Sequence, residues 1–556
     1  MATCTLGLDF GTNSVRALVV DTADGREVGT GVFEYERGDA GVLLSSDPNL
    51  ARQHPAEYVK GTELAVKAAL DAAREAVSDL SAEDVVGIGV DATGSTPVPV
   101  GADCVPLALG DHFADDLDAM AWLWKDHTAL AEADEITRLA AAERPRYLAK
   151  CGGAYSCEWF FSKVLHCLRA RPKVFDAAAT WVEESDLIPA MLSGVSDPAN
   201  IVRNVCAAGH KAMYNPEWGG LPDAEFLAML DPKMGELRAR LYERAHTIAE
   251  KAGGLSRAWA AKLGLREGTP VAVGALDAHM GAVGSGVAPG TLVKILGTSG
   301  CDMVVAPLER EVADIPGICG IVPESILPGH HGLEAGQAAV GDVFNWWVKV
   351  VKPGGGMSHE ELTAEAERLS PGESGLLALD WNNGNRNVLA DQLVTGLLVG
   401  STLHSSPAEI YRALIEATAF GALTIIRRFE EYGVAVGDVV TGGGIAEKNA
   451  MLMQIYADVT GRPWRLAGSA QACALGAAVS GAVAAGVYPD FQAAQAKMCR
   501  PGTVSYEPRA EAQAVYAELY RLYMQLHDAF GTEEYSGSLH NVMKRLIELR
   551  TAARGG

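Results

Sequence analysis

Asp9, Gly11, Thr12, Asn13 and Ser14 stand together where an apolar run breaks, in LGLDFGTNSVRALVVD, residues 6–21. A carboxylate, a glycine and three small polar side chains can build an oxyanion and cation site from short parts. Glycine lets backbone N–H groups approach phosphate oxygens, while the Thr, Asn and Ser side chains add neutral donors. Asp9 offers oxygen to Mg2+, directly or through a water. The purely structural alternative is a strand turn in which Asp9 caps the bend and Gly11 takes a positive φ. A shorter version of the same pattern, KILGTSGCDMVV, recurs at residues 294–305 and brings Gly297, Thr298 and Ser299. The reading is that the two turns face each other and hold a nucleotide's phosphates.

Four further places carry chemistry. In VVTGGGIAEKNAMLMQIYADV (439–459) a run of glycines that includes Gly443 and Gly444 ends a strand and opens a helix. Each glycine costs backbone entropy, so the run favours close approach of a flat ligand. Asn449, in the first turn or two of that helix, is placed to meet an adenine or ribose edge. In VAVGALDAHMGAVGSG (271–286) a buried strand runs into Asp277, which is either a helix N-cap or a general base. His279 in the same run is read first as a satisfied structural residue. Glu334, within HGLEAGQAAVGDVFNWW (331–347), caps a following amphipathic helix or holds a polyol hydroxyl, and Trp346 and Trp347 read as core. Lys125, Asp126 and His127 lie together ahead of a helix, as a solvated charge cluster or as the dense donor and acceptor set that a neutral sugar requires. The dipeptide Gly-Lys is absent, which excludes a Walker A loop, and the Gly-rich turns at 87–94 and 281–290 lack Rossmann spacing.

Apolar runs of strand length at 85–91, 270–277 and 436–444 alternate with helical periodicity, as at 55–77, so an α/β architecture with largely parallel sheets is expected. The two similar turns suggest a duplicated domain, each copy opening on a β-hairpin. GSGVAPGTL (284–292) is the expected boundary. The segment 472–487 reads as a core helix, and the residues after 500 as two helices separated by GTEEYSGS.

At 556 residues the chain exceeds one hydrophobic core and predicts two or three domains. A net charge of −24 argues against a nucleic-acid surface. The 10 cysteines show no Cys-x-x-Cys spacing, so no zinc site is expected. Reduced thiols, with neither a signal peptide nor a membrane span read from the sequence, place the protein in the cytoplasm and off the membrane.

Together these residues resemble the sugar kinases of the FGGY family. The resemblance covers roughly residues 5–490, and several stretches are similar to the branch that phosphorylates L-ribulose: GIGVDATGSTPVPV (87–100), WLWKDHTA (122–129), RNVCAAGHKAMYN (203–215), DAHMGAVGSGV (277–287), GTSGCDMVV (297–305), PGICG (316–320) and EAGQAAVGDVFNWW (334–347). It implies duplicated actin-like ATPase (ribonuclease H-like) domains with a cleft between them. The implied division is 1–285 (sugar, first phosphate loop, catalytic Asp), 286–495 (second phosphate loop, adenosine) and a helical extension at 496–556. ATP and Mg2+ are the implied cosubstrates, and the reaction is phosphorylation of the 5-hydroxyl of L-ribulose or another 2-ketopentose, giving L-ribulose 5-phosphate in L-arabinose catabolism. Kinases of D-ribulose or D-xylulose, and more remotely a non-enzymatic actin-like ATPase, are the alternatives.

Carried over by position, Asp277 is the general base and Asp9 sits by the metal. Gly11, Thr12 and Asn13 hold the phosphates from one side, and Gly297, Thr298 and Ser299 from the other. Gly443, Gly444 and Asn449 face the adenosine, while Gly94, Lys211, Glu334, Asp277, Lys125 and Asp126 line the sugar. Asp277 is expected to have a low pKa. The chain departs from many relatives at Gly300, where Ser or Thr is usual, and at Leu333, where Tyr is common. A homodimer is compatible with this reading.

Overall fold

Two seven-stranded sheets organise the computed structural model, which describes residues 3–77 and 80–555. In the first, Cys4–Phe10, Ser14–Asp21 and Glu27–Glu34 form an antiparallel meander. Val85–Ala92 lies parallel to the first strand, Pro270–Ala272 parallel to that, and Lys251–Gly254 antiparallel at the edge. The second sheet repeats the pattern. Gly290–Leu296, Gly300–Pro307 and His330–Gln337 form the meander, Val436–Gly442 and Trp464–Ala467 add in parallel, and Pro501–Tyr506 closes antiparallel. Gly320–Pro323 is an extra strand on the meander side. Six strands in one order and one set of directions, twice, bear out the expected duplication and the α/β class.

Local sequence accounts for most elements. The helix Pro55–Ala76 starts at a proline, has His54 accepting from the Ala56 N–H, and buries Tyr58, Ala65, Val66, Ala69 and Leu70 on one face. The expected strand over 270–277 is instead two pieces, Pro270–Ala272 and Ala275–Leu276. Between them the Val273 N–H leaves the sheet for the Glu250 carbonyl (3.0 Å), and a Cβ on Gly274 would lie 2.0 Å from the Ser185 carbonyl oxygen. The expected amphipathic helix after Glu334 is also different. His330–Gln337 is a strand, Gly341–Asn345 one helical turn, and Trp346–Val351 a wide π-type turn. Trp347 packs on the second core, whereas Trp346 is 40% exposed, a correction to its expected core role.

The two halves meet through helices. Ala472–Ala484, a helix late in the chain, lies on the first sheet: Cβ atoms on Gly7 and Gly89 would stand 1.8 and 1.7 Å from the carbonyl oxygens of Ala474 and Ala477. On its other side is the helix Asp277–Gly284, where a Cβ on Gly476 would stand 1.9 Å from the Met280 carbonyl oxygen. That second helix in turn packs against Ile295 of the second sheet. Leu18, Val20, Met280, Val283, Val293, Met303, Ala474 and Ala478 form a continuous core through the stack.

Beyond residue 500 the two expected helices are Ala510–Gly531 and Val542–Ala553. Tyr516, Leu519, Tyr520, Leu522, Tyr523 and Leu526 of the first are buried in the core of the second half. Tyr516 ties in further, accepting from Arg412 (2.9 Å) and donating to Glu416 (3.0 Å). Among the described residues no helix is long and apolar enough to cross a membrane.

Replacing Gly89 by alanine forces a methyl group into the Ala477 backbone, so Gly89→Ala is expected to lower stability by about 1–3 kcal/mol or more. Gly11→Ala is the control, since its added Cβ meets nothing nearer than 3.6 Å. Urea denaturation of both variants checks the contrast, and equal midpoints would refute the close approach.

Candidate active site

The first turn, Gly11 to Asn13, joins Cys4–Phe10 to Ser14–Asp21, with the Gly11 N–H donating to the Ser14 carbonyl (3.0 Å). Gln53 Nε2 donates to the Thr12 carbonyl (2.8 Å) and Trp124 Nε1 to Thr12 Oγ1 (3.0 Å). Asn13 is exposed, and its amide donates to the Ala40 carbonyl. The second turn has the same construction. The Gly297 N–H donates to the Ser299 carbonyl (2.9 Å), and the N–H groups of Val340, Gly341 and Asp342 donate to the carbonyls of Thr298, Gly297 and Thr298.

Neither Gly11 nor Gly297 has a positive φ, which removes the conformational reason for glycine that the turn reading offered. A Cβ on either would meet nothing of this chain nearer than 3.6 Å. The fold does not require these two glycines.

Three strand ends carry carboxylates. Asp9 and Asp91 are in-register partners on parallel strands, and Ala275, two residues before Asp277, pairs with Asp91. Burial raises the Asp9 pKa, and Arg16, its cross-strand partner with Nη1 3.6 Å away, opposes the rise. Asp277 begins its helix, and its Oδ1 accepts from the Ala278 N–H (2.6 Å), leaving Oδ2 free. Burial first and the Asp9 charge second push Asp277 up to about 6, which corrects the expected low value. Asp91 is fully buried, and burial, Asp9 and Asp277 in that order hold it well above the ordinary carboxylate range.

Opposite lies a compact charged cluster. Lys211, near the C-terminus of Val205–Ala212, donates to both Glu334 oxygens (3.0 and 3.1 Å). His210 Nδ1 and His279 Nε2 each lie 3.3 Å from Glu334 Oε2. His279 Nδ1 is 2.7 Å from Cys206 Sγ, and His210 Nε2 is 2.9 Å from Ser325. Burial would raise Glu334, but Lys211, His279 and His210 outweigh it and hold it well below the usual range. Burial would likewise lower Lys211, and Glu334 reverses this. Burial opposes a charge on His279, yet Cys206 and Glu334 lift it to about 10. Burial and then the His279 charge drive His210 well below 6.5, so one ring of the pair is cationic and the other neutral. Glu334 is a strand residue and does not cap a helix. His279, read from sequence as structural, touches the network around it.

A Cβ on Gly94 would stand 2.0 Å from Leu276 Cδ2, so Gly94 packs against the residue immediately before Asp277. The neighbouring loop is pinned by Lys163, whose Nζ donates to the Ser95 (2.7 Å) and Leu123 (2.9 Å) carbonyls. At the glycine corner, Gly443 has φ +100 and its Cβ would stand 2.3 Å from the Leu296 carbonyl oxygen, while Gly444 faces open space. Asn449 is not inside one helix. It is the N-cap between Gly444–Lys448 and Ala450–Thr460, its Oδ1 accepting from the Leu452 N–H (2.9 Å), so only its NH2 end is left for an adenosine.

Asp126 is a correction. It is fully buried, pairs with Arg52, and accepts from the Ala51 N–H (2.7 Å) and from the Thr128 N–H and hydroxyl (3.2 and 2.5 Å). No carboxylate lone pair is left for a sugar, so Asp126 shapes the loop. Lys125 is half-buried beside Trp124 and has no ion-pair partner among the described residues. Its charge reaches Asp342, whose N–H is bound to Thr298, so it belongs with the two turns.

Sequence reading passed over Arg16, Asp91, Cys206, His210 and Arg386. The hairpin register predicts Arg16 opposite Asp9, and Asp91 shows the same strand-end carboxylate pattern as Asp9. For Arg386, 3.5 Å from Glu158 across the two halves, no local pattern exists.

Comparison with known proteins agrees with this geometry. Residues 4–284 match the N-terminal domain, and 292–485 the C-terminal domain, of the FGGY family of carbohydrate kinases. A ribulokinase of Shouchella clausii is 41% identical over 99% of both chains, and one of Vibrio parahaemolyticus is 40% identical over 94% of this chain and 95% of its own. Among solved structures, xylulose kinase from Rhodospirillum rubrum superposes with a TM-score of 0.75 at 23% identity, covering 95% of this chain and 98% of its own. Gluconate kinase from Lactobacillus acidophilus gives 0.77 at 18%, covering 96% and 99%. These two show a shared fold.

Removing Lys211 strands a buried carboxylate, so Lys211→Met is expected to cost about 3–5 kcal/mol, and adding Glu334→Gln is expected to restore part of it. Denaturant midpoints of the single and double variants test the pair, and a single variant as stable as the parent would contradict it.

Proposed function

The chain belongs to the FGGY family of carbohydrate kinases, and on that premise we propose that it transfers the terminal phosphoryl group of ATP to the 5-hydroxyl of L-ribulose. The observation that carries the substrate is the 41% identity to a ribulokinase along essentially the whole chain. The site supports it with a buried donor–acceptor pair suited to polyol hydroxyls, Lys211 and Glu334, beside a free carboxylate oxygen of Asp277. The division at 286 is kept as the functional one, with sugar contacts mainly before it; the expected cut at 496 is corrected, because Pro501–Tyr506 completes the second sheet and Ala510–Gly531 packs into the second core. A cytoplasmic site of action fits the use of ATP and the free cysteines among the described residues.

In this reading the sugar lies between Lys211, Glu334 and the backbone at Gly94, which orient its terminal hydroxyl toward Asp277 Oδ2. A sugar hydroxyl is a very weak acid, and phosphoryl transfer has a loose transition state, so the nucleophile needs little negative charge until late. Asp277 therefore orients the O–H and accepts its proton as the bond to phosphorus forms. A pKa near 6 makes it a better base than an ordinary aspartate while leaving it ionised at neutral pH. Thr12 and Asn13 on one side, and Thr298 and Ser299 on the other, meet the phosphates, with Gly11 and Gly297, whose own N–H groups close the turns, keeping the approach open. Lys125, placed at the turns, is assigned to the terminal phosphate rather than to the sugar, and Gly443, Gly444 and the Asn449 NH2 group to the adenosine.

The donor set at the strand ends is all oxygen and carries excess negative charge, which fits Mg2+. Asp9 would hold it, and when bound it neutralises charge on the phosphates. Closing the halves together excludes water and suppresses ATP hydrolysis.

ADP release should be stimulated by L-ribulose more than by D-ribulose, D-xylulose or polyols. Preference for another ketopentose would reassign the substrate, and no stimulation by any sugar would remove the kinase reading. Asp277→Asn should reduce turnover by about 10²–10⁴-fold with nucleotide binding retained. Because the ionised carboxylate is the working form, kcat/KM should be half-maximal near pH 6, level off above it and fall with acidity below it, the limb disappearing in the variant.

A further inference from the structure

Asp91 has no role in the mechanism above, yet it is the most anomalous polar group near it. It is 0% exposed, and among the described residues neither carboxylate oxygen meets an N–H or hydroxyl donor; its one side-chain partner is the Asp9 carboxyl. Buried polar atoms are almost always partnered by a donor, and two carboxyl groups set against each other with no such donor at Asp91 form a pair that a hard cation can bridge.

Its direction follows from the sheet. Asp9 and Asp91 are paired across parallel strands, so their side chains leave the sheet on the same face. That face is the one covered by Ala472–Ala484, because Gly7 and Gly89, two residues earlier on each strand, lie against its Ala474 and Ala477 carbonyls. Asp9 and Asp91 therefore lie at the strand ends beside the start of that helix. Asp277 follows the strand on the far side of Asp91. Among the described residues, Arg16 beside Asp9 is the one ion-pair partner these three carboxylates have.

We propose that Asp91 is a further carboxylate of the cation site opened by Asp9, binding a hard divalent cation directly or through one of its waters. The proposal rests on the kinase reading for the presence of that cation. Oxygen-only ligation with retained waters suits Mg2+ or Mn2+ and does not suit a soft metal. Asp91 would then fix the cation from beneath while Asp9 holds it from the hairpin, leaving Asp277 free for the sugar hydroxyl.

The test is Mn2+ binding to the full chain with saturating ADP, followed by the electron paramagnetic resonance of free Mn2+. Asp91→Asn should weaken Mn2+ affinity about 10- to 100-fold, the range seen when a supporting ligand shell is cut, and leave ADP affinity in excess chelator unchanged. Unchanged Mn2+ affinity overturns the proposal. Asp9→Asn, run in parallel, separates the two readings: if it too leaves Mn2+ binding intact, the cation site at Asp9 is wrong, whereas failure of Asp91→Asn alone removes only the present inference. Should Asp91→Asn not fold, the anomalous signal of Mn2+ in crystals of the parent chain with ADP decides. A metal within about 4.5 Å of an Asp91 oxygen, the reach of direct or one-water coordination at metal–oxygen distances of about 2.1 Å, supports the proposal. A metal bound to Asp9 but farther from Asp91 overturns it.

Discussion

The structure depends on the approach of one alanine- and glycine-rich helix to the first sheet. Ala472–Ala484 lies so close that no Cβ fits on Gly7 or Gly89, and its opposite side admits none on Gly476. Small residues bury little apolar area each, so the contact relies on dense packing of backbone against backbone. Such a contact has no slack. It sets the spacing from first sheet to helix to second helix to second sheet, and with it the position of the strand ends at Asp9, Asp91 and Asp277. A site assembled from strand ends inherits the rigidity of the stack behind it.

On this frame the charges are separated by sign. Carboxylates gather at the ends of three neighbouring strands, while Lys211 and His279 converge on Glu334 opposite them. Burying like charges together raises their pKa values, and burying opposite charges together lets both ionise. The same depth therefore produces two outcomes, an Asp277 lifted to about 6 and a Glu334 held ionised. In the proposed reaction one suits the proton acceptor and the other the fixed charge that recognises hydroxyls.

The duplicated turns show what a fold leaves for its ligands. In each, glycine is demanded neither by backbone angle nor by neighbouring atoms, in contrast to Gly89. The tail has an internal role, its tyrosines completing the second core around Arg412 and Glu416.

The sequence by itself determined the alternation of strands and helices, the two hairpin turns, the glycine corner, the helix led by Asp277 and the paired tail helices. Each is written in contiguous residues through periodicity, turn chemistry and helix breakers. Tertiary structure decided what those residues face. It joined Lys211 to Glu334 across 123 positions, spent Asp126 on Arg52, broke the strand before Asp277 and exposed Trp346. It also raised the pKa of Asp277 and set the Asp91 carboxyl against that of Asp9 with no donor group beside it. Burial and the proximity of charges arise only when distant segments pack, and neither has a signature in local sequence.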